Sequence, residues 1–174
     1  MYLRVVQFIL VVSVLALGIP SCATTGDLAF YAIEFDALRE TPEIEVIDYK
    51  YGDDKAAILA PERERLKLGQ VFHGGHMAGF LPRGDFLYVK WRIKSTGEVL
   101  EDRIDLRHRL PETLSGLTIH FVCHGRQLYV FVMWPWDGQP WTKAPPNTRY
   151  QPIAEGVRRV DGQKIQQIYP DIPN

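Results

Sequence analysis

Apolar and polar positions alternate along much of this chain with a period of two, the pattern of strands that bury one face and expose the other. Residues 28–35 alternate loosely and are rich in strand formers. Residues 43–51 alternate more cleanly, with Ile44, Val46 and Tyr49 spaced among charges. Gly52, Asp53 and Asp54 mark a turn. One short helix is predicted after it, with Pro61 at its first position, Glu62 and Glu64 in its first turn and Gly69 just past its end. A helix of about two turns is peripheral. The glycines at 74, 75, 79 and 84, together with Pro82, make residues 71–84 read as loop.

The centre of the chain carries the strongest pattern. Residues 86–94 and 99–106 flank Thr96-Gly97, and a two-residue turn there would pair Lys94 with Val99, Arg92 with Glu101 and Val89 with Ile104. One face then holds Leu87, Val89, Trp91, Ile93, Leu100, Ile104 and Leu106, and the other Lys90, Arg92, Lys94, Glu101, Arg103 and Asp105. A second hairpin, 117–124 with 127–134, turns at Gly125-Arg126, a pair suited to a type II′ turn with glycine first. Its register sets Ile119 opposite Val132, Phe121 opposite Val130 and Cys123 opposite Leu128. Both of its faces are largely apolar, so it supplies central strands or meets something else on one face. A final strand is expected at 164–169. Repeated short strands with almost no helical periodicity predict a mainly β fold: a small antiparallel β-sandwich or partly open barrel with one short peripheral helix.

The N-terminal end breaks this pattern. Arg4 precedes a mostly apolar run over 5–17, too short to span a bilayer as a helix but of the length of a signal-peptide apolar region. Ile19-Pro20-Ser21-Cys22 resembles a bacterial lipobox, which implies that Cys22 is acylated and becomes the first residue. An ordinary signal peptide cut nearby, or an uncleaved anchor, is the alternative. The organisation that follows is a signal peptide over 1–21, a lipidated tether over 22–27 and a single β-sandwich domain over 28–174. Ala23 after the lipidated cysteine implies, by the same resemblance, an outer-membrane, periplasm-facing location. Several acyl chains on one cysteine hold a protein more firmly than one chain does.

Removal of residues 1–21 leaves 153 residues of the 174, enough for one core. The remaining chain has 19 Lys+Arg against 21 Asp+Glu, which offers no concentrated basic footprint for nucleic acid. With Cys22 acylated, Cys123 is the one thiol left and no intrachain disulfide can form.

Candidate chemistry is sparse. His73 and His76, three apart among glycines, could approach one metal, but a zinc site wants further ligands. His120, Cys123 and His124 cannot share a metal or form a thiol–imidazole pair, because strand alternation puts Cys123 on the face opposite both histidines. Cys123 then reads as a small buried hydrophobe. Asp102 interrupts the apolar face of the first hairpin, opposite Trp91, whose indole N–H is a candidate donor to it. No nucleophile elbow, phosphate loop, HExxH or paired-carboxylate motif occurs. The expectation is a protein that is not an enzyme and needs no cofactor. Aromatic residues offer the other candidate surface: Tyr129, Phe131, Trp136 and Trp141 lie on or beside the second hairpin and its proline-rich exit, and aromatics are enriched at the cores of protein interfaces.

Gly84-Asp-Phe-Leu-Tyr-Val-Lys-Trp-Arg92, Asp102-Arg-Ile-Asp-Leu-Arg-His-Arg-Leu-Pro111 and Gln127-Leu-Tyr-Val-Phe-Val132 resemble small β-rich lipoproteins of Gram-negative bacteria belonging to uncharacterised families. Some members are encoded as immunity partners of type VI secretion effectors, lipases among them. The resemblance implies a periplasm-facing protein that binds another protein, and more narrowly one that blocks a toxin. A structural or assembly lipoprotein of an envelope machine is the alternative expectation.

Overall fold

The computed structural model describes residues 28–135 and 164–171. Nine strands and two short helices follow one another along them: β1 (Ala29–Asp36), α1 (Ala37–Glu40), β2 (Ile44–Gly52), β3 (Ala57–Leu59), α2 (Arg63–Lys67), β4 (Gly74–Leu81), β5 (Phe86–Ile93), β6 (Val99–Asp105), β7 (Thr118–His124), β8 (Gln127–Met133) and β9 (Ile165–Tyr169). They form a five-stranded sheet in the order β4-β1-β7-β8-β9 and a four-stranded sheet in the order β3-β2-β5-β6. The architecture is mainly β and sandwich-like, with all pairings antiparallel except β1 with β7, which is parallel. At one side Phe72 joins the sheets through a backbone bridge to Val46. Across the other, the Tyr169 hydroxyl donates to Asp102 at 2.7 Å.

The core lies where the inward residues of the two sheets meet. Tyr31, Ile33 and Phe35 point inward from β1, Leu87, Val89 and Trp91 from β5, and Ile119, Phe121 and Cys123 from β7; all are buried. In β2 the inward phase runs Ile44, Val46, then Tyr49, Tyr51, because a bulge between Val46 and Asp48 inserts one residue and resets the alternation. Aromatic rings fill the middle, with Phe35 stacked on Phe121 at 4.6 Å and edge-on to Tyr49 at 4.9 Å. Two buried tyrosines stitch the sheets together. Gly84 N–H donates to the Tyr51 hydroxyl and the Tyr31 hydroxyl donates to the Pro82 carbonyl, so the Tyr51 hydroxyl is left to donate to that of Tyr31 at 2.9 Å.

The second hairpin has the predicted register, with Ile119 opposite Val132, Phe121 opposite Val130 and Cys123 opposite Leu128. Gly125, at φ +55°, sits first in its two-residue turn. Both strands are central, which accounts for their two apolar faces. The outward face carries a second buried cluster of Val122, Phe131, Met133 and Ile165.

Other expectations are corrected. The first hairpin pairs Phe86 with Asp105, Val89 with Asp102 and Arg92 with Val99, two residues from the predicted register. Its loop has four residues rather than two: Ile93 N–H reaches the Glu98 carbonyl, and Gly97 N–H returns to the Ile93 carbonyl. A slip of two preserves the faces, so the buried set is unchanged. Asp102 consequently faces Val89 and bonds Tyr169, while the Trp91 indole donates instead to the Gly125 carbonyl at 3.0 Å. Pro61 precedes the cap residue Glu62 of α2 rather than opening the helix. A second short helix, α1, is capped by Asp36, whose carboxylate accepts from Arg39 N–H. Residues 74–81, expected as loop, form a strand paired along its whole length with β1. Gly75 is required by contact, since a Cβ there would stand 2.6 Å from the Phe35 ring.

Candidate functional site

Strand alternation turns Ala32, Glu34 and Asp36 of β1 away from the core, onto the outer face of the five-stranded sheet. Across that face the register sets His76 of β4, Glu34 of β1 and His120 of β7 side by side. The chain then turns into α1, which folds back toward β7 and brings Glu40 to the same spot. His120 Nε2 lies 2.8 Å from a Glu40 carboxylate oxygen, and its Nδ1 lies 3.6 Å from Glu34. His76 Nδ1 stands 3.1 Å from the other Glu34 oxygen. The four side chains form one line: Glu40, His120, Glu34, His76.

Burial divides this line. The side chains of His120 and Glu40 are 4% and 3% exposed, against 59% for His76. Burial by itself would lower the His120 pKa, but the carboxylates of Glu34 and Glu40 outweigh it and push the value up to about 9. At neutral pH His120 is therefore an imidazolium whose Nε2–H bonds Glu40, while its buried Nδ1, without a hydrogen-bond partner, faces Glu34 at ion-pair distance. Glu34, lying 3.6 Å from His120 and hydrogen-bonded to His76, is held below the usual carboxylate range, chiefly by His120. A buried cation between two anions stands where two apolar residues would pack more simply, and such groupings are costly to disturb.

Above the line opens a groove of about 690 Å³, walled by Phe35, Asp36, Leu38 and Arg39 on one side and by residues 73–76 on the other. The wall is tied together by Leu38 N–H donating to the His73 carbonyl at 3.1 Å. His73 and His76 thus both border the groove, but they do not converge. His73 contributes its backbone carbonyl, His76 bonds Glu34, and no metal-holding cluster of His, Cys, Asp and Glu occurs among the described residues. The groove lining includes no Ser, Thr, Cys, Tyr or Lys. Cys123 faces the core, buried and pushed up in pKa by desolvation, so it is no nucleophile.

No family model, curated protein or solved structure matches this chain. The chemistry of its surfaces is what bears on function.

The other sequence candidates fall as follows. Phe131 is 2% exposed within the second buried cluster, which leaves it no surface to offer a partner. Tyr129 packs beside it, half-buried. Cys22, Trp136 and Trp141 lie outside the described residues, as do the signal peptide and the tether. The charged face of the first hairpin is internally matched: Lys90 pairs with Glu101, Arg92 with Glu45 and Arg103 with Asp54. Glu34 and Glu40 were missed by sequence reasoning. The available signal was His120 itself, a titratable group on an otherwise apolar face of a central strand, which needs a partner.

Proposed function

We propose that this chain is a lipid-anchored, periplasm-facing protein of the outer membrane that acts by binding another protein and catalyses no reaction. The observation that carries the binding reading is the groove over the Glu40–His120–Glu34 line. Its base is held by buried ionic contacts, and its lining sets the carboxylates of Glu34, Asp36 and Glu40 against the cations of Arg39 and His120, an excess of negative charge that suits a basic side chain projecting from a partner. The lining supports the non-enzymatic reading, since it holds no Ser, Thr, Cys, Tyr or Lys to act as a nucleophile and Glu34 stays ionised rather than poised to donate a proton. Acylation of Cys22 supplies the anchor. Immunity to a secreted effector is the narrower form of the proposal, and it rests on the resemblance of residues 84–92, 102–111 and 127–132 described above.

The test is affinity capture from lysate of the source organism, using the chain from Ala23 onward as bait beside its Glu34→Lys variant. A toxin-like enzyme enriched by the parent bait and lost with Glu34→Lys supports binding through the groove. Inhibition of that enzyme by the parent protein then establishes immunity. Capture of envelope-assembly components equally by both baits moves the function to the structural alternative and takes the groove out of it.

A further inference from the structure

We infer that the end of the sandwich where β1 begins rests against the lipid bilayer, with Leu28, Phe30 and Phe80 as the side chains that enter it. Phe30 and Phe80 are cross-strand neighbours on the outer face of β1 and β4, packed edge to face at 5.4 Å. They are 52% and 72% exposed, and Leu28 beside them is 59% exposed. Together they present roughly 350 Å² of exposed surface, within the range of the largest apolar patch on a typical monomer, which is often functional. The exposed apolar residues Leu38, Leu68 and Val99 lie on α1, after α2 and at the start of β6, away from this end.

Two observations choose lipid as the occupant. The first is reach: six Cα steps separate Cys22 from Leu28, a span of at most about 20 Å. An acylated Cys22 therefore holds the patch within that distance of the headgroups. The second is shape, because the rings protrude rather than enclose, which suits insertion among headgroups more than retention of a free lipid molecule. Beside them a hollow of about 570 Å³ runs to Glu112, Thr113, Leu114 and Ser115. Arg83 crosses its floor, its guanidinium donating to the Leu110 and Pro111 carbonyls, so the loop is braced at the level the headgroups would occupy. β1 then carries the chain roughly 25 Å away along its eight residues. The groove over His120 lies on the same outer face, centred four residues further along β1 from Phe30, and so stands roughly 13 Å further from the bilayer.

The inference rests on acylation of Cys22, and the experiment separates the two. The acylated protein is prepared as Phe80→Cys, with Thr96→Cys as the reference at the opposite end. Each is labelled with an environment-sensitive fluorophore; Cys123, 3% exposed, is shielded from the reagent. Intact mass reports the acyl chains. The labelled proteins are placed in vesicles of phosphatidylethanolamine and phosphatidylglycerol containing brominated lipid. The expected result is blue-shifted emission at position 80, quenched several-fold more strongly than at position 96. Leu28→Cys, a second variant at an exposed position, behaves like Phe80→Cys. Equal aqueous emission at 28, 80 and 96 in protein of acylated mass overturns the apposition and leaves the anchor standing. A mass without acyl chains removes the anchor and the apposition together.

Discussion

The two ends of β1 reverse the ordinary partition of a globular protein in opposite senses. At its C-terminal end a charged imidazolium and the Glu40 carboxylate are buried under α1. At its N-terminal end two phenylalanines stand in solvent. Folding alone favours neither arrangement, since buried charge must be fully partnered and exposed aromatic surface forgoes the hydrophobic gain. The difference lies in what holds each in place. The charged end is tied by internal contacts and so contributes to the stability of the fold. The apolar end makes one ring-to-ring contact and contributes little, so its chemistry is free to serve something outside the molecule.

The sharpest way to break this contrast is to remove one anion. Glu40→Ala leaves His120 buried with Glu34 alone, and the expected loss of unfolding free energy is about 3 kcal/mol in urea titration. An unchanged midpoint would mean that the buried line adds nothing to the fold. A pH series follows, with a somewhat smaller expected effect. The His120 pKa is raised to about 9, so its contribution is complete below about pH 6.5 and is lost as pH rises through 9. Glu34 is lowered, so its contribution is present above about pH 4.5 and is lost as the medium becomes more acidic. Stability should peak between those limits and fall toward pH 9, and His120→Gln should flatten the alkaline limb. An alkaline limb of the same slope in His120→Gln would assign the fall to other groups. The smallest effects belong to the exposed members. His76→Ala and Phe80→Ser should each shift stability by less than about 0.5 kcal/mol, because a surface ion pair and a solvent-exposed ring stabilise little. A large loss from Phe80→Ser would place that ring in the fold rather than on an interface.

Local sequence suffices where a short turn and its flanking residues decide the geometry. Gly125-Arg126 admits a two-residue turn, and the second hairpin has the register that follows from it. Thr96-Gly97 looks similar in sequence, yet the chain uses four residues there, which moves each pair by two and leaves each face as read. Residues 74–81 form a strand rather than the expected loop for a different reason. Glycines weaken a strand by themselves, but here β1 supplies the ladder along the whole length, and at Gly75 the Phe35 ring fills the space a side chain would have taken. Glu34, Glu40 and His120 are not near one another in sequence, and their meeting depends on the parallel pairing of β1 with β7 and on α1 folding back.

By itself the sequence determined the mainly β class, the inward and outward residues of the hairpins and the burial of Cys123, because each follows from alternation within a few residues. Only the tertiary structure decided that Gly74–Leu81 is a strand, that Asp102 bonds Tyr169 and that His120 is clamped by two glutamates. Those outcomes depend on groups brought together by long loops, whose closure costs so little per added residue that local pattern carries no mark of which ends will meet.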